Sequence, residues 1–190
     1  ISKALVARYA RDFIASPPTF WQTAPLPALP TGDPALYPDE VPELQPLLDQ
    51  AVQLFSLYRD RSRFGESPKE HEIVAHLVIP LLRALGWTPE HLAIEWRRID
   101  VAVFSPLPRT PASCRFVIEA KRRGLGIEGA LRQARQYCRT NALECPIVLT
   151  DGIRYRMYEP RGDEQFTPVA YANLVRLKRP ALDLFRRMRR

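Results

Sequence analysis

The sequence predicts an α/β domain, a mixed central sheet of four or five strands flanked by helices, with an N-terminal helical and proline-rich extension. Three observations carry that prediction. Short runs at 92–96, 99–104, 114–121, 147–149 and 153–158 are alternating or wholly apolar, the two patterns strands show. Runs at 70–85 and 127–139 instead repeat apolar residues every three or four positions, as a helix covering a sheet does. Nine of the 19 prolines fall between 17 and 46, which keeps that stretch out of helix interiors and central strands.

In chain order, residues 1–14 read as a short amphipathic helix with Leu5, Val6, Tyr9 and Phe13 on one side. The proline segment interleaves Phe20, Trp21, Leu26, Leu29, Leu36 and Tyr37, too much apolar bulk for a plain disordered linker. It is expected as an extended arm against the domain, with Pro27-Ala28-Leu29-Pro30 as an alternative ligand for a proline-recognising module. A helix over 44–58 turns Leu44, Leu47, Leu48, Ala51, Phe55 and Tyr58 inward.

Ser67-Pro68-Lys69-Glu70 opens the next helix, with a capping-box pattern and proline at its first position. Its stripe is Val74, Leu77, Val78, Leu81 and Leu85; Pro80 is expected to kink it and Gly86 to end it. Glu70 lies four residues before Val74, on the buried stripe, whereas Glu72 points about 160° away from Val74. Two readings of Glu70 stand side by side: a capping acid three residues after Ser67, or an acid lent to a functional site.

The strand over 99–104 offers one carboxylate, Asp100, and that over 114–121 puts Val117, Glu119 and Lys121 on the face opposite Phe116 and Ile118. The helix over 127–139 has an apolar stripe of Ile127, Leu131, Ala134 and Cys138. Gln133 and Tyr137 sit at its edge, and Arg132, Arg135 and Arg139 on another side. The bland reading of Gln133 and Tyr137 is a surface amide and a partly buried aromatic. Asp151-Gly152 signals a turn into the last strand. The boundaries are an arm and helices over 1–66, a core over 67–160, and a basic C-terminal helix or linker over 161–190.

Composition narrows the function classes. Hydrophobic residues at 46% and charged residues at 26% fit an ordinary globular protein, and a formal charge of +7 fits an anionic partner such as nucleic acid. No run of about 18 apolar residues occurs. The first residues lack a signal-peptide pattern and an initiator Met, which suggests a trimmed chain or a piece of a longer one. Three cysteines without metal-ligand spacing and three scattered histidines argue against a structural zinc site and for a reducing compartment such as the cytoplasm.

Two acids and one lysine on neighbouring strands suit the hydrolysis of a phosphodiester, where a hard cation offsets the developing charge. Asp100 and Glu119 would supply the carboxylates and the Ala120 carbonyl a further oxygen. Lys121 would orient the attacking water.

At these residues the chain resembles the PD-(D/E)XK nuclease superfamily, most closely the N-terminal nuclease domain of type I restriction enzyme R subunits and related restriction–modification proteins. The likeness covers about residues 67–158. It rests on Glu70, on Ile79-Pro80-Leu81-Leu82-Arg83-Ala84-Leu85-Gly86-Trp87, on Arg98-Ile99-Asp100 and on Val117-Ile118-Glu119-Ala120-Lys121. Gln133-Ala134-Arg135-Gln136-Tyr137 and Val148-Leu149-Thr150-Asp151-Gly152 complete it. The resemblance implies a restriction-endonuclease-like fold and a Mg²⁺-dependent DNA endonuclease domain acting on double-stranded DNA in restriction of foreign DNA, with Mn²⁺ as a substitute. It further implies that Asp100 and Glu119 bind the metal, that Lys121 is the catalytic lysine, that Gln133 and Tyr137 form the accessory motif, and that Glu70 is the acid of the first core helix. Ile99 departs from the nominal motif, which has proline there. No phosphate-binding Gly-x-x-x-x-Gly-Lys-Ser/Thr motif and no methyltransferase signature is present, so a helicase or methyltransferase would sit elsewhere in the polypeptide or complex. A double-strand break would call for a homodimer. The rival readings are a catalytically silent nuclease-like fold that grips nucleic acid, and a basic scaffold that docks a partner protein through the proline arm.

Overall fold

Six strands form one sheet, and they lie in it in sequence order: β1 (Leu92–Trp96), β2 (Ile99–Phe104), β3 (Cys114–Ala120), β4 (Ile147–Thr150), β5 (Arg154–Pro160) and β6 (Phe166–Asn173). This computed structural model describes residues 44–60, 68–122, 126–162, 165–176 and 181–190. The helix expected over 1–14, the proline arm as far as residue 43, and Ser67 lie outside those residues. The described residues belong to one compact unit, 31–190.

Four of the five strand pairings are antiparallel; β3 and β4 run parallel, pairing Val117 with Ile147 and Ala120 with Thr150. A parallel pair needs a crossover, and a helical one lies between them in sequence: a 3₁₀ turn, Ile127–Ala130, then α3 (Leu131–Thr140). The sheet is therefore mixed, as expected, but has six strands where four or five were expected. The added strand is β6. Its Pro168 lacks the ladder donor, a feature that argues against a strand except at a sheet edge, and an edge is where β6 lies.

The two faces of the sheet bury separate cores. One packs Val101, Ile118, Val148 and Tyr155 against α1 (Leu44–Arg59), the long helix α2 (residues 70–84) and α4 (Ala181–Met188). The other packs Ala102, Phe104, Val117 and Leu149 against Ile127, Ala134 and Cys138. Strand alternation explains the division, because Phe116, Ile118 and Ala120 point one way and Val117 the other.

Helix α2 runs through α-helical Glu70–Ile73, π-helical Val74–Val78 and α-helical Ile79–Ala84. In the π turn the Ile79 N–H donates to the Val74 carbonyl, so the irregularity comes just before Pro80, the expected site of disturbance. Gly86 follows the last turn at φ +94°, a left-handed position that glycine adopts without strain. The basic tail is anchored: Trp87 Nε1 donates to the Met188 carbonyl at 2.6 Å, and Leu182, Leu184, Phe185 and Met188 are buried in the first core.

Candidate active site

Strands β2 and β3 bring the expected residues together. Their antiparallel register pairs Val101 with Ile118. One step beyond that pair, the same register sets Asp100 across from Glu119, and directly opposed residues share a face. It is the face that α3 covers.

The contacts at this point are specific. Asp100 Oδ2 accepts the Ala120 N–H at 2.7 Å. The Glu119 side chain is 3% exposed, and its Oε1 accepts from Lys121 Nζ at 2.8 Å. Its other oxygen, Oε2, is buried without a hydrogen-bond partner. Lys121 is one residue past the end of β3, where its own N–H donates to the Thr150 carbonyl at 2.8 Å.

Electrostatics follow from that geometry. Burial, reinforced by the charge of Asp100, pushes the Glu119 carboxyl up to about 7, with Lys121 pulling the other way. Burial also raises Asp100, opposed by the Ala120 N–H and by Lys121. Burial works against the Lys121 ammonium, but the hydrogen bond and charge of Glu119, with Glu70 and Asp100 behind it, raise its pKa overall.

Glu70 opens α2, and its negative charge acts on Asp100, Glu119 and Lys121 alike. It does not cap the helix. Lys69 occupies the cap position and its N–H donates to Glu72 Oε2 at 2.7 Å, so Glu72 takes the capping role that was one of the two readings of Glu70. Ser67, the expected cap, is outside the described residues.

Ala120, the third residue expected at the metal, lies between Glu119 and Lys121 with its side chain in the opposite core and its N–H on Asp100. Gln133 and Tyr137 sit one turn apart on α3, and Gln133 Nε2 donates to the Tyr137 hydroxyl at 2.8 Å. Among the described residues neither bonds to Asp100, Glu119 or Lys121. The structure thus draws Asp100, Glu119, Lys121 and the field of Glu70 together, and leaves Gln133–Tyr137 as a self-contained pair on the covering helix.

The donor set favours one class of ion. Among the described residues no three His, Cys, Asp or Glu side chains gather closely enough to hold a metal. The acids that do meet are two carboxylates, and magnesium takes one or two while keeping several waters. The unspent Oε2 of Glu119 is a buried acceptor that a cation would satisfy. The residues present fit Mg²⁺ on those grounds.

Two groups of arginines stand out, one in the hairpin loop before β2 and one on α3. Arg97 and Arg98 are the two loop residues of the β1–β2 hairpin, immediately before the strand that carries Asp100. They stand at φ 50° and 74°, with Glu95 at 52°. Such a turn normally takes Asn-Gly, and non-glycine residues held there store strain. The Arg97 guanidinium lies 4.5 Å from the Trp96 ring centre, and Trp96 meets Phe104 edge-on at 5.2 Å. The sequence signal for these residues was present but not assigned: two arginines between two strands, where a tight turn needs other chemistry. The second group, Arg132, Arg135 and Arg139, lines a recess of about 780 Å³ that also contains Gln165 and Phe166, with the Arg135 guanidinium 5.8 Å from the Phe166 ring centre.

Asp151, by contrast, is buried and fully engaged. It accepts from the backbone of Ile153 and Arg154 and pairs with the Arg154 guanidinium at 2.8 Å, so it builds the β4–β5 turn. No helix among the described residues is long and apolar enough to cross a membrane. Compared with models of protein families, with curated proteins and with solved structures, the chain matches none.

Proposed function

We propose that this chain is a Mg²⁺-dependent nuclease domain that hydrolyses phosphodiester bonds in DNA. The observation that carries the reading is Glu119: an almost fully buried acid, set opposite Asp100, bridged to Lys121, with one oxygen unspent. A structural ion pair has no need of a second acid across the strand, and raising both carboxyls is a standing cost that a cation removes. The order of elements supports the same reading. A mixed sheet flanked by a helix carrying Glu70 and by the helix carrying Gln133 and Tyr137 is consistent with the fold that the resemblance implies.

Asp100 and Glu119 would hold the ion. When bound, Mg²⁺ supplies charge neutralisation at the phosphate and a more acidic water. Lys121, held beside Glu119, would present its ammonium to the attacking water and to the phosphate oxygens. Arg97 and Arg98 would meet the neighbouring phosphates, where charge neutralisation gives affinity without sequence preference. Restriction of foreign DNA, with a helicase or methyltransferase in the same polypeptide or complex and pairing of two copies for a double-strand break, is the setting this reading suggests.

A second reading has one observation in its favour. The Lys121–Glu119 pair closes on itself, as it would in a nuclease-like fold that only grips nucleic acid. One experiment separates the two. Supercoiled plasmid is incubated with the chain, with Mg²⁺ or with chelator, alongside Asp100→Ala and Lys121→Ala. The nuclease reading expects Mg²⁺-dependent nicking that falls about 100-fold or more in each variant, with circular dichroism and DNA retention unchanged. Equal nicking by a Lys121→Ala preparation free of host nuclease would falsify the lysine's role; DNA binding without any metal-dependent nicking would leave the gripping module.

A further inference from the structure

All three cysteines of the chain meet at one place, although 24 and 7 positions separate them in sequence. Cys114 begins β3, Cys138 lies on α3, and Cys145 lies two residues before β4. The Cys145 thiol donates to the Cys114 sulfur at 3.6 Å. Cys138 and Cys145 are buried, whereas Cys114 is only half-buried. The cluster sits at the start of β3, and the candidate acid and lysine at its other end.

The structure assigns this cluster as a peroxide-reactive thiol site, in which half-exposed Cys114 is oxidised first and buried Cys145 resolves it to an intramolecular disulfide. The site is independent of the metal reading. The geometry divides the roles. Access to solvent is the requirement for the first oxidation, and Cys114 alone of the three has it. A resolving thiol must already be in sulfur–sulfur contact, and Cys145 is. The hydrogen bond from Cys145 also lowers the Cys114 pKa, while its contacts with Cys114 and Cys138 raise that of Cys145, so Cys114 is the easier thiol to ionise. A three-thiolate metal site is the alternative use of such a trio. It is disfavoured because no three cysteine, histidine or acidic side chains among the described residues are arranged to hold an ion.

The chemistry balances with hydrogen peroxide as the oxidant. The Cys114 thiolate attacks one peroxide oxygen, the O–O bond breaks, and hydroxide leaves and takes up a proton. Cys114 is then a sulfenic acid. The Cys145 sulfur attacks the Cys114 sulfur, the S–O bond breaks, and the departing hydroxide leaves with the Cys145 proton as water. Two thiols are oxidised to one disulfide and one peroxide is reduced to two waters.

The test uses the whole chain, treated with hydrogen peroxide in modest excess, denatured in the presence of an alkylating agent, and mapped by mass spectrometry without reductant. The expected result is a monomer lighter by two hydrogen atoms, with the Cys114 and Cys145 peptides linked, Cys138 alkylated, and the link reversed by dithiothreitol. Cys145→Ser should instead accumulate a sulfenic acid on Cys114 that dimedone captures, and Cys138→Ser should leave the link intact. Three alkylated thiols after peroxide would overturn the assignment. So would a link confined to dimers, or progression of Cys114 to sulfinic acid in the unmutated chain. The wild-type map alone decides these outcomes, so a poorly folding variant does not obscure them.

Discussion

Glu119 is held where an ionised carboxylate is least welcome, and the consequence can be measured without any substrate. Its carboxyl titrates at about 7 in the folded chain against 4.5 for a free glutamate. Between those values the native state binds the proton more tightly than the unfolded chain does, so this group's contribution to stability falls as pH rises through the window and is lowest above it. A cation between Asp100 and Glu119 would reverse the loss only once both acids are ionised. Mg²⁺ should therefore raise the Tm at about pH 8 and have little effect at about pH 5, and Asp100→Asn should remove most of the shift. A Mg²⁺ shift of equal size at both pH values, or one that survives Asp100→Asn, would sink the two-carboxylate site. Asp100, Glu119 and Lys121 were all legible in the sequence as polar residues on neighbouring strands, because alternation alone places Glu119 and Lys121 on one face. That Asp100 stands directly across from Glu119 is a matter of register, which the strand sequences do not state. That Glu72 rather than Glu70 closes the helix cap depends on where the first turn begins, a boundary propensity leaves loose.

The elements around the site carry their own strain. The β1–β2 hairpin holds Glu95, Arg97 and Arg98 at positive φ, at about 1 kcal/mol or more for each. Replacing Arg97 and Arg98 by Asn and Gly should raise the urea midpoint, worth about 1–2 kcal/mol. It should also weaken DNA binding and lower the slope of log affinity against log salt by about two. An unchanged salt slope would remove these arginines from the DNA interface. At the β4–β5 turn, Gly152 stands at φ +88° beneath the π turn of α2, where an added Cβ would collide with Leu77 Cδ1 and meet Ile73 Cγ2 at 3.0 Å. Gly152→Ala should cost about 2–4 kcal/mol, read from denaturant unfolding. The Asp151-Gly152 turn was visible in the sequence. The π turn that presses on it was not, since only the kink expected at Pro80 hinted at an irregularity.

At the scale of the molecule, the sequence yielded the α/β class, five of the strands and the two helices that flank the site. At the C-terminal end it allowed a basic helix or a linker, and a helix is there, but charge density concealed its apolar stripe. Leu182, Leu184, Phe185 and Met188 alternate with arginines closely enough to read as a basic tail, yet they complete the first core. Phe185→Ala should cost about 3–5 kcal/mol by thermal or denaturant unfolding, as for any core phenylalanine, whereas a mere appendage would tolerate it. The two margins of the sheet have a consequence of their own. At one, β1 is bent by Glu95 in a left-handed conformation; at the other, β6 carries Pro168. Neither border offers an unbroken row of donors and acceptors for a neighbouring molecule to extend, a safeguard against fibril growth in a crowded solution. Restoring the missing donor with Pro168→Val should bring earlier light scattering on concentration and mild heating, with the fold of the isolated molecule unaltered.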